Sequence, residues 1–200
     1  MNTFIRLLSI EEASSVYKHH LKRDFPMDEV KPWKSIRRMW EKDCYFTVGL
    51  FEDPGAEGNA SLRGYAFFVE RPDCDACLLD YYAILPDFRD RGLGGRFLLR
   101  LSELCRDRGK YILLETEDLD RARTEKQHQE RMRRDSFYAG NGCVKTDVKN
   151  HIVTVDYAVW HLGGPDDFDQ CCADMQALYR LMIPGEKNTR FVKIERKKNS

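Results

Sequence analysis

The run Leu78-Leu79-Asp80-Tyr81-Tyr82-Ala83-Ile84-Leu85, followed by Pro86 and then by glycines at 92, 94 and 95, constrains this chain more than any other feature. Eight nearly all apolar or aromatic residues predict a central strand buried on both faces. Pro86 stops it. Beyond the turn, Leu93, Phe97, Leu101, Leu104 and Cys105 recur at helical spacing, and Gly109 stands where a C-terminal cap belongs. A buried strand therefore leads through a glycine-bearing turn directly into a helix. The first N–H groups of such a helix have no intrahelical partner and its dipole is positive there, so an anion is stabilised at that point. Glycines remove side chains that would hold a phosphate off the backbone. Arg89, Arg91 and Arg96 add positive charge at the same spot. The plainer alternative is a tight turn carrying solvated arginines.

Residue identity narrows which phosphate such a cradle serves. A P-loop ends in Gly-Lys-Ser/Thr, and here Gly95 is followed by Arg96 and Phe97. The dinucleotide fingerprint needs a glycine three residues after Gly94, where Phe97 stands. The strand also follows three others instead of opening a βαβ unit.

The other elements follow from pattern. Phe4–Leu8 reads as a strand, and Ser9 with Glu12 forms a capping-box signature for a helix through about Leu21. A second helix is expected from about Pro32 to Lys42. Strands at Cys44–Phe51 and Leu62–Glu70 flank a polar loop, 52–61, that carries Pro54, Gly55 and Gly58. After the central strand and helix, Tyr111–Glu115 is another strand and Arg123–Ala139 a polar helix. Val144–Asp147 and Ile152–His161 form a closing hairpin. Gly163-Gly164-Pro165 marks a linker, so residues 1–162 are read as one domain. Residues 163–200 are read as linker, amphipathic helix and charged tail. That helix docks either on its own domain or on a second copy, so monomer and homodimer both stay open.

Composition excludes several classes. Lys and Arg number 33 and Asp and Glu number 33, and this balance argues against a broad nucleic-acid surface. No run of about 18 apolar residues is present to span a bilayer. The N-terminus lacks the basic lead and apolar stretch of a secretion signal, so a cytoplasmic protein is expected. Seven cysteines, an odd number, argue against a disulfide framework. Cys74 and Cys77 have CxxC spacing, but adjacent Cys171 and Cys172 make a poor second pair for zinc. No metal is expected, and the thiols are read as small packed groups.

Arg89-x-x-Gly92-x-Gly94, preceded by Ala-Ile-Leu-Pro, resembles the acyl-CoA-binding motif of the GNAT superfamily of N-acyltransferases. Element order and Phe137-Tyr138-x-x-x-Gly142, which is similar to that family's Phe-Tyr…Gly-Phe signature, extend the resemblance over about residues 3–161. Cys143 replaces the usual phenylalanine after Gly142. The resemblance implies a mixed α/β (α+β) fold: a mostly antiparallel sheet of six to seven strands flanked by about four helices, plus the C-terminal helix. It further implies that acetyl-CoA is the acyl donor and that backbone N–H groups within Arg89, Asp90, Arg91, Gly92, Leu93, Gly94, Gly95 and Arg96 hold the coenzyme A pyrophosphate. Ile84 and Leu85 would pair through the main chain with the pantetheine and thioester, where a gap between the fourth and fifth strands admits the arm. The acceptor is a small-molecule or peptide amine.

Aminolysis of a thioester needs a neutral amine and a donor for the departing thiolate. By the resemblance, Tyr138 occupies the acid position. Glu115, at the end of the fifth strand, resembles the glutamate that serves some members as base. Asp80 is the rival, because a carboxylate within an apolar run needs a partner or a task; water as the proton carrier is a third route. Glu115, Glu117, Asp118 and Asp120 form an acidic cluster that suggests a cationic acceptor, with a solvated loop as the alternative. The basic run from Arg121 to Arg134 reads as a solvated helix face. The competing functional class is a non-catalytic acyl-CoA-binding or regulatory module.

Overall fold

The computed structural model describes residues 2–27, 29–53, 59–183, 185 and 191–197. The loop expected to carry Pro54, Gly55 and Gly58 lies largely outside them. Two compact units divide the chain: Met1–Glu70 with Leu79–Arg100, and Arg71–Leu78 with Leu101–Ser200.

The first unit holds β1 (Thr3–Leu7), α1 (Ile10–Val16), a π-helical turn (Tyr17–Leu21), α2 (Lys22–Asp24), α3 (Trp33–Trp40), β2 (Tyr45–Glu52) and β3 (Ser61–Glu70), with Leu79–Ile84 of β4 (Ala76–Ile84). Its strands run in the order β1-β2-β3-β4. The capping box forms as the residues require: Ser9 Oγ accepts from the Glu12 N–H, and the Glu12 carboxylate accepts from the Ser9 N–H and from Arg6. The helix runs past its expected end at Leu21 because the π-helical turn carries the chain on to Asp24. Tyr65, Phe67 and Phe68 of β3, Leu21 of the π-helical turn, and Ile36 and Met39 of α3 are among its fully buried side chains.

In the second unit the order is β4-β5-β7-β6-β8, with β5 (Tyr111–Glu117), β6 (Val144–Ile152), β7 (Val155–Leu162) and β8 (Val192–Arg196). Ala76–Leu78 of β4 pairs in parallel with Tyr111–Leu113 of β5; β5–β7, β7–β6 and β6–β8 are antiparallel. Two helices complete the unit, α5 (Glu125–Gly140) and α6 (Phe168–Met182). The remaining helix, α4 (Leu93–Asp107), starts in the first unit and ends in the second. Gly109 closes α4 at φ +72°: its N–H reaches the Arg106 carbonyl and the Lys110 N–H reaches that of Cys105, both at 2.9 Å. Among the described residues no helix is long and apolar enough to cross a membrane.

Among the described residues the sheet has eight strands, not six to seven. The additional strand, β8, lies in what the composition suggests is a charged tail. Lys193 and Glu195 alternate there with Val192 and Ile194, and β8 pairs along β6 from Val148↔Arg196 to Ile152↔Val192. Arg196 meets Asp147 through two bonds of 2.8 and 2.5 Å. The preceding helix docks on its own chain: Gln176 donates to the Ile194 carbonyl at 3.0 Å, and Cys171, Met175 and Leu178 are fully buried.

The closing hairpin also differs from expectation. β6 runs on to Ile152, and Val153-Thr154 forms a two-residue turn between Ile152 and Val155. Val153 sits at φ +55° and is 63% exposed. A β-branched residue is strained in that region, whereas asparagine tolerates it. Val153→Asn is therefore expected to raise the free energy of unfolding by about 1 kcal/mol, read from urea denaturation; a destabilised variant would contradict this account of the turn.

Candidate active site

The cradle is assembled inside the first unit. Leu85 ends β4 by donating its N–H to the Arg63 carbonyl at 2.9 Å, and the chain turns over Pro86–Phe88. Asp90 and Gly92 take left-handed conformations, φ +59° and +70°. A Cβ at Gly92 would meet nothing within 4 Å, so conformation and not space selects glycine there. The helix follows at once. Its first intrahelical bond, Arg96 N–H to the Gly92 carbonyl, is 3.4 Å long, and glycine at 92 offers no side chain to cap the N–H groups of the first turn.

Side chains fix this turn from several directions. The Tyr82 hydroxyl donates to the Gly94 carbonyl at 2.5 Å, and its ring lies 5.5 Å from that of Phe97, a fully buried anchor. Arg63 stacks its guanidinium 3.8 Å from the Phe88 ring centroid, within reach of a cation–π contact. Arg89 Nε donates to the Ile84 carbonyl at 2.9 Å. The main-chain groups expected to meet a pantetheine are thus already engaged within the unit, the Leu85 N–H by Arg63 and the Ile84 carbonyl by Arg89. Among the described residues none of Arg89, Arg91 and Arg96 is ion-paired, and all three are exposed.

Asp80 of β4 has the partner its position demands. Its carboxylate accepts from Lys31 Nζ at 2.6 Å and from the Tyr45 hydroxyl at 2.5 Å, and its side chain is 5% exposed. Burial and the adjacent Asp80 charge hold the Tyr45 phenol well above its ordinary value, so it remains the donor. Lys31 is itself pinned: its N–H donates to the Tyr81 hydroxyl at 2.8 Å and its carbonyl accepts from Tyr17 at 2.9 Å. The Tyr81 hydroxyl in turn donates a hydrogen bond to the Glu29 carbonyl at 2.8 Å. Asp80 therefore ties the segment before α3 to β4.

The other two candidates lie in the second unit. Glu115 Oε1 accepts from Asn150 Nδ2 at 2.6 Å and Oε2 from the Tyr179 hydroxyl at 2.5 Å. Tyr138 is 9% exposed, close to Trp160 and Phe137, and its hydroxyl makes no hydrogen bond among the described residues. Burial pushes its phenol up to about 12, partly opposed by Arg134, so it is protonated at neutral pH. The helix ends immediately beyond it in a Schellman arrangement. Gly142, at φ +83°, donates to the Ala139 carbonyl at 3.1 Å, and the Cys143 N–H donates to that of Tyr138 at 3.0 Å. The glycine of the Phe-Tyr…Gly signature thereby fixes the backbone that presents Tyr138.

The acidic cluster is not a free anionic surface. Glu117 pairs with Arg131 at 2.7 Å and Asp118 with Lys149 at 2.8 Å. Burial alone would raise the Asp118 carboxyl, but the Lys149 hydrogen bond and charge outweigh it and hold it low. Nor is the basic run simply a solvated face, since Arg131 is 8% exposed and also donates to the Asp118 carbonyl. No three His, Cys, Asp or Glu side chains among the described residues converge on a metal position. Burial holds the Cys143 thiol up to about 12, far from a reactive thiolate at neutral pH.

Gly64, Lys31, Tyr82, Asn150 and Tyr179 are contributors that sequence patterning passes over. Gly64 carries the clearest steric signal. A Cβ there would lie 2.8 Å from the Ala83 carbonyl oxygen and 2.8 Å from Ile84 Cδ1. The end of β4 approaches β3 this closely only because position 64 has no side chain. Gly64→Ala is expected to destabilise the protein by about 1–3 kcal/mol, read from urea denaturation. Wild-type stability would show that the strand end yields freely.

The comparisons with known proteins enter against this geometry. The model of the Acetyltransferase (GNAT) family matches residues 13–128. A Bacteroides thetaiotaomicron protein described as a GNAT-family acetyltransferase superposes with a TM-score of 0.68 at 17% identity, covering 88% of this chain and 96% of its own. The ribosomal-protein-S18-alanine N-acetyltransferase of Escherichia coli gives 0.56 at 16% identity, over 83% and 98%. A spermidine N-acetyltransferase chimera from Vibrio cholerae gives 0.58 at 13%, over 81% and 95%. At such identities these likenesses establish the fold. No curated protein matches the chain in sequence.

Proposed function

The chain belongs to the acetyltransferase (GNAT) family, and from that premise we propose that it transfers an acetyl group from acetyl-CoA to a primary amine by direct attack. The observation that carries this reading is the uncapped first turn of α4. Its N–H groups lie beyond the left-handed Gly92, beside arginines that have no carboxylate partner among the described residues. In this reading the backbone from Arg89 to Arg96, including Asp90, Leu93 and Gly95, takes the coenzyme A pyrophosphate. Ile84 and Leu85 meet the pantetheine, and Arg89 must then share or release the Ile84 carbonyl that it holds. Residues 1–162 form the transferase domain, with 163–200 appended to it.

Glu115 accepts a proton from the amine, directly or through water, and the neutral nitrogen attacks the thioester carbon. The C–N bond forms, the C–S bond breaks, and amide and coenzyme A thiol are the products. Tyr138 serves the leaving thiolate. A phenol held near 12 is a weaker acid than a thiol of pKa about 8.5, so its contribution is a hydrogen bond to the developing charge, and the thiolate takes its proton from solvent. Asp80 stays outside the proton path in this reading, because the Lys31 ammonium pairs with its buried carboxylate. The buried Cys143 thiol favours direct transfer over an acyl-enzyme.

The reaction is tested by thiol release from acetyl-CoA against a panel of amines. The panel includes spermidine and an alanine-terminated peptide, the acceptor types named for structural relatives. Turnover of at least one amine is expected, with kcat lowered about 10²-fold or more in Tyr138→Phe. Acetyl-CoA binding without turnover of any amine would favour a non-catalytic acyl-CoA-binding module. An active Tyr138→Phe enzyme would remove Tyr138 from the mechanism.

A further inference from the structure

Glu115 is held by two elements, and both lie beyond the residues that match the family model. Its two oxygens are divided between Asn150 of β6 and Tyr179 of α6, at 2.6 and 2.5 Å. Both contacts are donor to carboxylate, and such bonds favour the ionised form. Resting on the transferase reading above, we propose that Asn150 and Tyr179 are positioning residues that keep the Glu115 carboxylate ionised and aimed for proton acceptance, which makes the C-terminal helix α6 a working part of the transferase.

Asn150 supports this more strongly than its geometry alone. It is fully buried, and its Oδ1 has no partner among the described residues. A buried amide with one end orphaned is a cost that an apolar residue of similar size would avoid. Its orientation has one electrostatic solution: Nδ2 must face Glu115, because Oδ1 would set two acceptors against each other. The bond to Glu115 is what that buried amide provides. Tyr179, 7% exposed, stands one turn beyond Asp174 on α6, and Asp174 is itself engaged by the Tyr111 hydroxyl at 2.9 Å. The helix is thereby fixed against β5 at two successive turns, and its second contact lands on the proposed base.

Other charged and titratable groups lie on the elements around this carboxylate. From β5 comes Glu117, paired with Arg131. The register places Tyr157 and His161 of β7 on the face of Glu115. His161 is buried, which lowers its affinity for a proton, and its Nδ1 accepts from the Gly164 N–H. Arg196 of β8 is held by Asp147 and Asp169. Tyr179 of α6 and Asn150 of β6 donate to this carboxylate and are the pair to remove.

The test uses the full-length protein labelled with ¹³C-glutamate, the Glu115 carboxyl resonance being assigned from Glu115→Gln. Its titration is followed by NMR in wild type, Tyr179→Phe and Asn150→Leu. The pH profile of kcat/KM is measured with the best amine of the panel. Removing either donor is expected to raise the Glu115 titration midpoint by about one pH unit, a tenfold change in proton affinity. The acid limb of the rate profile should rise with it, and the KM for acetyl-CoA should stay unchanged. A merely structural pair would lower the melting temperature and leave that limb in place. An unmoved midpoint, or a moved midpoint with an unmoved limb, overturns the proposal. If Glu115→Gln keeps the full rate and the acid limb, the base assignment itself fails and this inference falls with it. If Glu115→Gln is inactive while the limb in Tyr179→Phe stays put, only this inference falls.

Discussion

A helix that starts without a cap must find acceptors for its first N–H groups, and the first turn of α4 is such a start. Gly92 has no side chain to fold back, and its left-handed backbone turns the chain directly into the helix. The surrounding architecture holds that opening in place. Tyr82 grips the Gly94 carbonyl, Phe97 anchors the turn in the core, and Gly64 lets the end of β4 close on β3. Arg63 and Phe88 brace the outer side. Every one of these contacts stabilises a turn whose residue 92 has no side chain to cap the first N–H groups of α4.

The two candidate carboxylates follow a second rule. Asp80 and Glu115 each have two short donors, and the donors differ in kind. A lysine ammonium and a phenol hold Asp80, which makes it a tie between β4 and the segment before α3. An amide and a phenol donate to Glu115. Two acids that look equivalent in the sequence therefore sit in different surroundings: one pairs with an ammonium, while the other accepts from neutral donors of β6 and α6. Tyr138 differs from both: it is buried, its phenol is pushed up to about 12, and its hydroxyl has no hydrogen-bond partner among the described residues.

Much of this was legible because it rests on local rules. The capping box at Ser9, the glycine caps at 109 and 142, the buried run of β4 and the turn into α4 each follow from a few neighbouring residues. Long-range pairings were not legible. β8 was hidden because alternating Lys193 and Glu195 look like a tail until a neighbouring edge strand is present to pair with them. The acidic cluster suggested an anionic surface, since only the fold brings Arg131 and Lys149 to Glu117 and Asp118. Lys31, Asn150 and Tyr179 carry no motif; their roles come from partners 49, 35 and 64 residues away in sequence.

The central claim is that the turn from Arg89 to Arg96 binds the pyrophosphate of an acyl-coenzyme A. Isothermal titration of the protein with acetyl-CoA, beside a Gly92→Glu/Gly94→Glu variant whose circular dichroism matches the parent, tests it most directly. The account predicts micromolar binding by the parent, on the order of −8 kcal/mol, and loss of that binding in the variant, where carboxylates occupy the cradle. Absence of binding by the parent, or equal binding by a folded variant, would contradict it.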